Sequence, residues 1–322
     1  MTPQAALLES PPLKKDSGEC GHTKASRSTA SPKVQSIPSA NICGVGVNII
    51  SLETLLDAVT VRVRERTPGY IVTPNVDHVC LCNKNAEFKS AYDGAFLSVP
   101  DGVPLIWSAI LLRTPLVQRL NGTDLVYAIA ERAADKGHSV FLLGAEEGVA
   151  GQAAERLQSL HPQLRVVGTY SPPMDFEKDA VENARIVHML RAAKPDICFV
   201  AVGSPKQEIW MRQHCERSRT PLMIGVGASF DFIAGNKRRA PRVFQKTGLE
   251  WFWRLCSEPR RLWRRYLVDD MLFFGLLARQ MISRRRRQEP EAPPSMPLPS
   301  RERDGTPGQW TEIPTRVKDT CP

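Results

Sequence analysis

Short runs that are apolar almost from end to end, each closed by a Gly, Pro or Asp turn, alternate with stretches of helical spacing through most of this chain. The runs fall at 69–73, 95–99, 139–143, 164–168, 196–202 and 221–226. Between them, 51–64 sets Leu52, Leu55, Leu56, Val59 and Val63 on one helical face, and 76–91, 124–136, a stretch ending near Leu160, 183–193 and 207–215 also read as helices. A strand apolar on both faces has to be covered on both faces. Alternation with helices then specifies an α/β fold, a parallel sheet with helices on either side. No internal repeat is evident. In such sheets ligands bind beyond the carboxyl ends of the strands. The turns after Thr73, Pro100, Leu143, Val202 and Val226 are therefore expected to share one rim.

The alternation occupies residues 43–236, the expected core. Residues 1–40 and 288–322 are rich in Pro, charged and small polar residues and lack apolar periodicity. Neither can bury enough apolar surface to offset its ordering entropy, so both read as disordered tails. The segment 237–287 differs from all of these. It holds fifteen Lys and Arg against four Asp and Glu, a balance of +11, whereas the whole chain carries +9, which leaves −2 elsewhere. A segment that concentrates all the excess positive charge is expected to meet something anionic.

Several function classes drop out. The eight cysteines show no paired metal-ligand spacing, and those inside apolar runs read as buried free thiols of a reducing compartment. No secretory leader is visible, and no run reaches the roughly 18 apolar residues of a membrane span. The expectation is a cytoplasmic, non-spanning protein. The six histidines are scattered, and no Asp-x-Asp stands at a strand end, so no metal site is expected.

The strand ends carry the candidate chemistry. Gly144-Ala-Glu-Glu-Gly148 opens a helix, where backbone N–H groups could meet a phosphate; an ordinary βα turn reads equally well. In Gly203-Ser-Pro-Lys-Gln-Glu208, Lys206 is placed to meet a phosphate and Gln207 to bond a sugar or base. Asp101, on the Pro100-Asp-Gly102 turn, is either a positioned general base or a turn former. Thr73 and Asn75 occupy the equivalent turn of the preceding strand. Thr123 reads as a helix N-cap with Asp124 in the first turn, and Arg119 could reach the rim. Asp231 either lines the site or caps the next helix.

Residues 237–287 interleave cations with Trp251, Phe252, Trp253, Trp263, Tyr266, Phe273 and Phe274 and end on Arg284–Arg287. That pattern fits an anionic membrane surface first, plain packing or a homo-oligomer contact next, and single-stranded nucleic acid third.

Seven motifs in order are Thr73-Pro-Asn75, Pro100-Asp101-Gly102, Arg119-(x)2-Gly122-x-Asp124, Phe141-Leu-Leu-Gly144, Gly203-Ser-Pro-Lys-Gln-Glu208, Gly227-Ala-Ser-Phe-Asp231 and Arg239-Ala-Pro241. Together they resemble the WecG/TagA/CpsF glycosyltransferases (glycosyltransferase family 26) over about 43–277. The resemblance implies a Rossmann-like core and inverting, metal-independent hexosyl transfer. The donor is a UDP-sugar acting as co-substrate, with no cofactor, and the acceptor is a polyprenyl-diphosphate-linked saccharide. The transferred sugar is N-acetylmannosamine, its uronic acid or another hexose, for bacterial exopolysaccharide or cell-surface polysaccharide. The resemblance makes Asp101 the general base with Thr73 and Asn75 beside it. Arg119, Gly144, Gly203, Lys206, Gln207 and Asp231 would bind substrate. The C-terminal appendage would attach the protein to the inner face of the cell membrane and bring Arg254, Arg261 and Arg264 to the site. Arginine suits a departing diphosphate that bears developing charge. Two competitors are weaker. A nucleotide-dependent oxidoreductase lacks its G-x-G-x-x-G fingerprint. A nucleic-acid-binding protein would leave Asp101 and Gln207 without a role, so no nucleic-acid partner is expected.

Overall fold

The structure, a computed structural model, describes residues 37–288 except 115, 238, 242, 245–249 and 265–269. Six parallel strands form the main sheet: β3 (Tyr70–Val72), β4 (Leu97–Ser98), β5 (Ser139–Gly144), β6 (Arg165–Tyr170), β7 (Ile197–Ala201) and β8 (Leu222–Gly225), in the spatial order β4-β3-β8-β7-β5-β6. The α/β class with helices on both faces is as the sequence specified.

Strand periodicity explains how one apolar run serves two cores. In β5, Val140 and Leu142 point into one buried cluster and Phe141 and Leu143 into the other; in β7, Ile197 and Phe199 oppose Cys198 and Val200. The first cluster is closed by α1 (Leu52–Glu65), α5 (Gly122–Lys136), α6 (Val149–Leu160) and α9 (Ser229–Ala234). The second is closed by α2 (Val76–Cys82), α3 (Ala86–Asp93), α4 (Val103–Leu111), α7 (Ala180–Ala193) and α8 (Lys206–Ser218). It also takes in α12 (Met271–Gln288), which contributes Phe273 and Leu277. Two short helices, α10 (Glu250–Ser257) and α11 (Pro259–Arg264), precede α12.

Four expectations need correction. The stretch 1–40 does not stay unstructured to its end: β1 (Ser39–Ile42) pairs antiparallel with β2 (Val45–Asn48). Cys43 and Gly44 make the connecting turn at φ 49° and 88°, the left-handed pair that a two-residue hairpin requires. Asn48 then accepts a 2.7 Å bond from Ser98 N, so the hairpin meets the edge strand β4. The single helix expected over 76–91 is two, because Asn75 and Asn85 each cap a new start by accepting from His78 N and Phe88 N. Helix α5 is capped not by Thr123 but by Asn121, which accepts from Thr123 N at 2.9 Å; Thr123 Oγ1 instead donates to Ser229 Oγ inside the fold. Finally, α4 was not anticipated. The tail 289–322 lies outside the described residues. Of the cysteines described, five are buried and Cys256 is exposed, all as free thiols; burial pushes the Cys82 thiol up to about 12.

Candidate active site

The carboxyl ends of β3, β4, β5, β7 and β8 do form one rim, stitched across by backbone bonds. Asp101 N donates to Pro74 O at 2.9 Å, Ala145 N to Ala201 O at 2.9 Å, and Val226 N to Val200 O at 2.9 Å. Thr73, buried, donates from Oγ1 to Gly225 O at 3.3 Å. Its hydroxyl thereby ties the β3 end to the β8 end.

Asp101 emerges from this rim between two fixed turns. Its own N–H is held by Pro74, and Gly102 follows at φ 134°, a conformation open to glycine, where a Cβ would lie 3.7 Å from Asn75 Cβ. Two donors face the Asp101 carboxylate: Asn121 Nδ2 at 3.5 Å and Arg119 Nε at 3.8 Å from Oδ1. Asn121 therefore does two jobs, since its Oδ1 caps α5 while its Nδ2 faces Asp101. Asn75 uses its own Oδ1 to cap α2. Both Asn residues have helix-starting reasons to be where they are, and both starts deliver the chain to Asp101.

Arg119 is shared. Its Nη2 is bonded to Glu250 Oε2, so the charge paired with this rim arginine comes from α10, beyond the core. Arg239 extends the network: it forks onto Asp124 at 2.5 and 2.8 Å and lies 3.9 Å from Glu250. Hydrogen bonding to Asp124 raises the Arg239 pKa, so its charge is fixed. The result is a cluster of two guanidiniums and three carboxylates, Asp101 among them. The sequence reading missed Glu250, Asn121 and the role of Arg239. Glu250 was hidden as one of four acids in a basic segment. Arg239 appeared in a motif with no chemistry attached.

On the far side of β8, Gln207 is buried and crosses between turns. Its Oε1 accepts from Gly227 N at 3.0 Å, and its Nε2 donates to Glu208 Oε1 at 2.7 Å. Both ends of the amide thus have protein partners. Glu208 is fully buried, and burial pushes its carboxyl up to about 7. Lys206 is turned toward acids rather than left open for a phosphate: it bonds Asp175 at 2.9 Å and reaches Glu177 at 3.1 Å. Gly144 sits at φ 119°, and a Cβ there would lie 2.5 Å from the backbone of Ala201. Gly203, at φ 83°, faces open space. Asp231 stands in the first turn of α9 rather than at its cap. Arg264 is exposed on α11; the side chains of Arg254 and Arg261 lie outside the described residues. No group of three or more His, Cys, Asp or Glu that could hold a metal occurs among the described residues.

The model of the Glycosyl transferase WecG/TagA/CpsF family matches residues 40–287. The chain belongs to that family. It is a glycosyltransferase. A relative from Bacillus spizizenii (strain ATCC 23059 / NRRL B-14472 / W23) is 32% identical over 199 residues, covering 62% of this chain and 75% of its own. Relatives from Staphylococcus aureus strains MW2 and NCTC 8325 / PS 47 are 29% identical over 215 residues, 67% of this chain and 82% of theirs. All three are named N-acetylglucosaminyldiphosphoundecaprenol N-acetyl-beta-D-mannosaminyltransferase. The nucleic-acid alternative draws no support from the family or from these relatives. No helix among the described residues is long and apolar enough to cross a membrane.

Proposed function

We propose that this chain moves a hexose, with N-acetylmannosamine or its uronic acid the leading candidates, from a UDP-sugar to a polyprenyl-diphosphate-linked saccharide. Transfer inverts the anomeric centre and uses no cofactor. The protein works peripherally on the inner face of the membrane. The observation that carries this reading is the placement of Asp101: a carboxylate fixed at both flanking turns, on the ligand rim, beside Arg119 and Arg239.

The chemistry divides accordingly. Asp101 takes the proton from the acceptor hydroxyl as its oxygen attacks the anomeric carbon. The bond from that carbon to the diphosphate breaks, and negative charge grows on the departing diphosphate. Arg119 lies 3.8 Å from the base and Arg239 joins it through Glu250, and guanidinium forks match phosphate oxygens. Glu250 neutralises them in the free protein and would be displaced by the diphosphate. Arg254, Arg261 and Arg264 are the further cations that the appendage would supply.

The test is Asp101→Asn, assayed by nucleotide release from a panel of UDP-sugars with a lipid-diphosphate-saccharide acceptor. Loss of turnover by about a hundredfold or more, with an unchanged melting temperature, is the expected result. Turnover near wild type would sink the base assignment.

A further inference from the structure

Helix α4 starts two residues after Asp101 and contains no charged residue, reading Val-Pro-Leu-Ile-Trp-Ser-Ala-Ile-Leu. Its inner face is accounted for. Leu105, Ala109 and then Leu112 pack in the same buried cluster as Phe273 and Leu277 of α12. Its outer face is equally apolar and is uncovered: Trp107 is 59% exposed, Ile110 67% and Leu111 54%, with Val117 in the following loop at 59%. Positions 107, 110 and 111 have the i, i+3, i+4 spacing of one helical face. A helix apolar on every side belongs in a core or in lipid, and clustered exposed apolar side chains mark an interaction surface.

Neighbouring groups choose the occupant. Arg113 is exposed just past the helix end, and Arg284 of α12 donates to the Leu112 carbonyl. Helix α12 adds exposed Phe274 and Ile282 and exposed Arg279. Apolar side chains framed by arginines, with a tryptophan among them, match the boundary between acyl chains and anionic headgroups. The acceptor class agrees. A saccharide on a polyprenyl diphosphate stays anchored in the bilayer, so the base must come to the membrane surface.

We infer that α4 is a membrane-docking helix of the catalytic core. Trp107, Ile110 and Leu111 lodge at the acyl boundary of an anionic bilayer, Arg113 and Arg284 meet headgroup phosphates, and Asp101 is held at the height of the acceptor sugar. The appendage is thus not the whole anchor. This inference rests on the lipid-linked acceptor proposed above.

The experiment uses the full chain and two variants, the triple Trp107→Ser, Ile110→Ser, Leu111→Ser and the single Ile110→Glu. Flotation with phosphatidylglycerol vesicles, alongside phosphatidylcholine vesicles, measures binding. Turnover is measured on the acceptor in vesicles and on a short-chain, water-soluble analogue. The expected result is tight binding to the anionic vesicles by the parent chain. The triple variant should lose about tenfold or more and Ile110→Glu a comparable amount. Melting temperatures and turnover on the soluble acceptor should not change, while KM for the vesicle-borne acceptor rises. Wild-type flotation by both variants overturns the inference. So does a concentration-dependent dimer that the variants abolish without changing flotation, which would make this face a contact between two copies. If the parent chain turns over neither acceptor, the proposed function fails, while flotation still decides the role of α4.

Discussion

Glu208 offers a test of the site's electrostatics that needs no substrate. It is fully buried beneath the rim, where its Oε1 accepts from Gln207 Nε2, and burial raises its pKa from the ordinary 4.5 to about 7. Asp77 adds to the rise, while hydrogen bonds from Gln207 and Ser204 oppose it. A pKa raised on folding means that between pH 4.5 and about 7 the native state binds more protons than the unfolded chain. Stability then falls as pH rises through that window and levels off above it. The interval corresponds to about 3 kcal/mol, at about 1.4 kcal/mol per pH unit. Glu208→Gln keeps an oxygen to accept from Gln207 and carries no charge at any pH. Urea unfolding of both proteins at pH 5 to 8.5 reads the difference. The variant should match the parent near pH 5 and exceed it by about 3 kcal/mol above pH 8. A difference that stays flat across the range would refute the reasoning, because it would mean that Glu208 titrates alike in both states.

Other perturbations probe the rest of the rim. Glu250→Gln removes the counter-charge on Arg119 and should lower KM for the nucleotide-sugar by about fivefold, from an ion pair worth about 1 kcal/mol; an unchanged KM in steady-state kinetics would show that the donor does not compete for this arginine. Gly144→Ala places a Cβ 2.5 Å from Ala201 backbone atoms at a φ of 119° and should cost about 3 kcal/mol in urea unfolding, with wild-type stability arguing against a rigid contact between β5 and β7. Replacing Arg285, Arg286 and Arg287 with Gln should weaken binding to anionic vesicles by about a hundredfold, at about 1 kcal/mol per arginine near a charged surface, as read by flotation. Binding unaffected by this change would confine the attachment to apolar contacts.

The sheet was legible because its cause is periodic. Runs such as 139–143 and 196–202 are apolar on both faces, and only a layer of helices on each side can cover them. The errors fell where one residue outweighed the pattern. A single apolar rhythm spans 76–91, but Asn85 can cap a helix, and its bond to Phe88 N starts a second one. Thr123 and Asn121 are both good caps, and the choice between them was made by a partner more than a hundred residues away, Ser229, which holds the Thr123 hydroxyl. Helix α4 escaped notice because its outer face is apolar, so it shows no amphipathic rhythm; a helix buried on one side and lipid-facing on the other has no polar face to betray it.

The site shows the same division more sharply. That Asp101 and Gln207 would stand on one rim followed from strand ends, which are local facts. What those residues bond was not local. Arg119 meets Glu250 across 131 positions, Arg239 meets Asp124 across 115, and Gln207 meets Gly227 across 20. Composition at 237–287, with a net charge of +11, directed attention to its arginines. Yet one of its few acids, Glu250, is what bonds Arg119. An acid there has a physical use. Two guanidiniums side by side would repel each other. Glu250 balances that charge, and in the proposed mechanism a diphosphate, with more charge and more acceptor oxygens, would take its place. In the proposed mechanism, arginine charge at this rim is then handed to the leaving group when the donor binds.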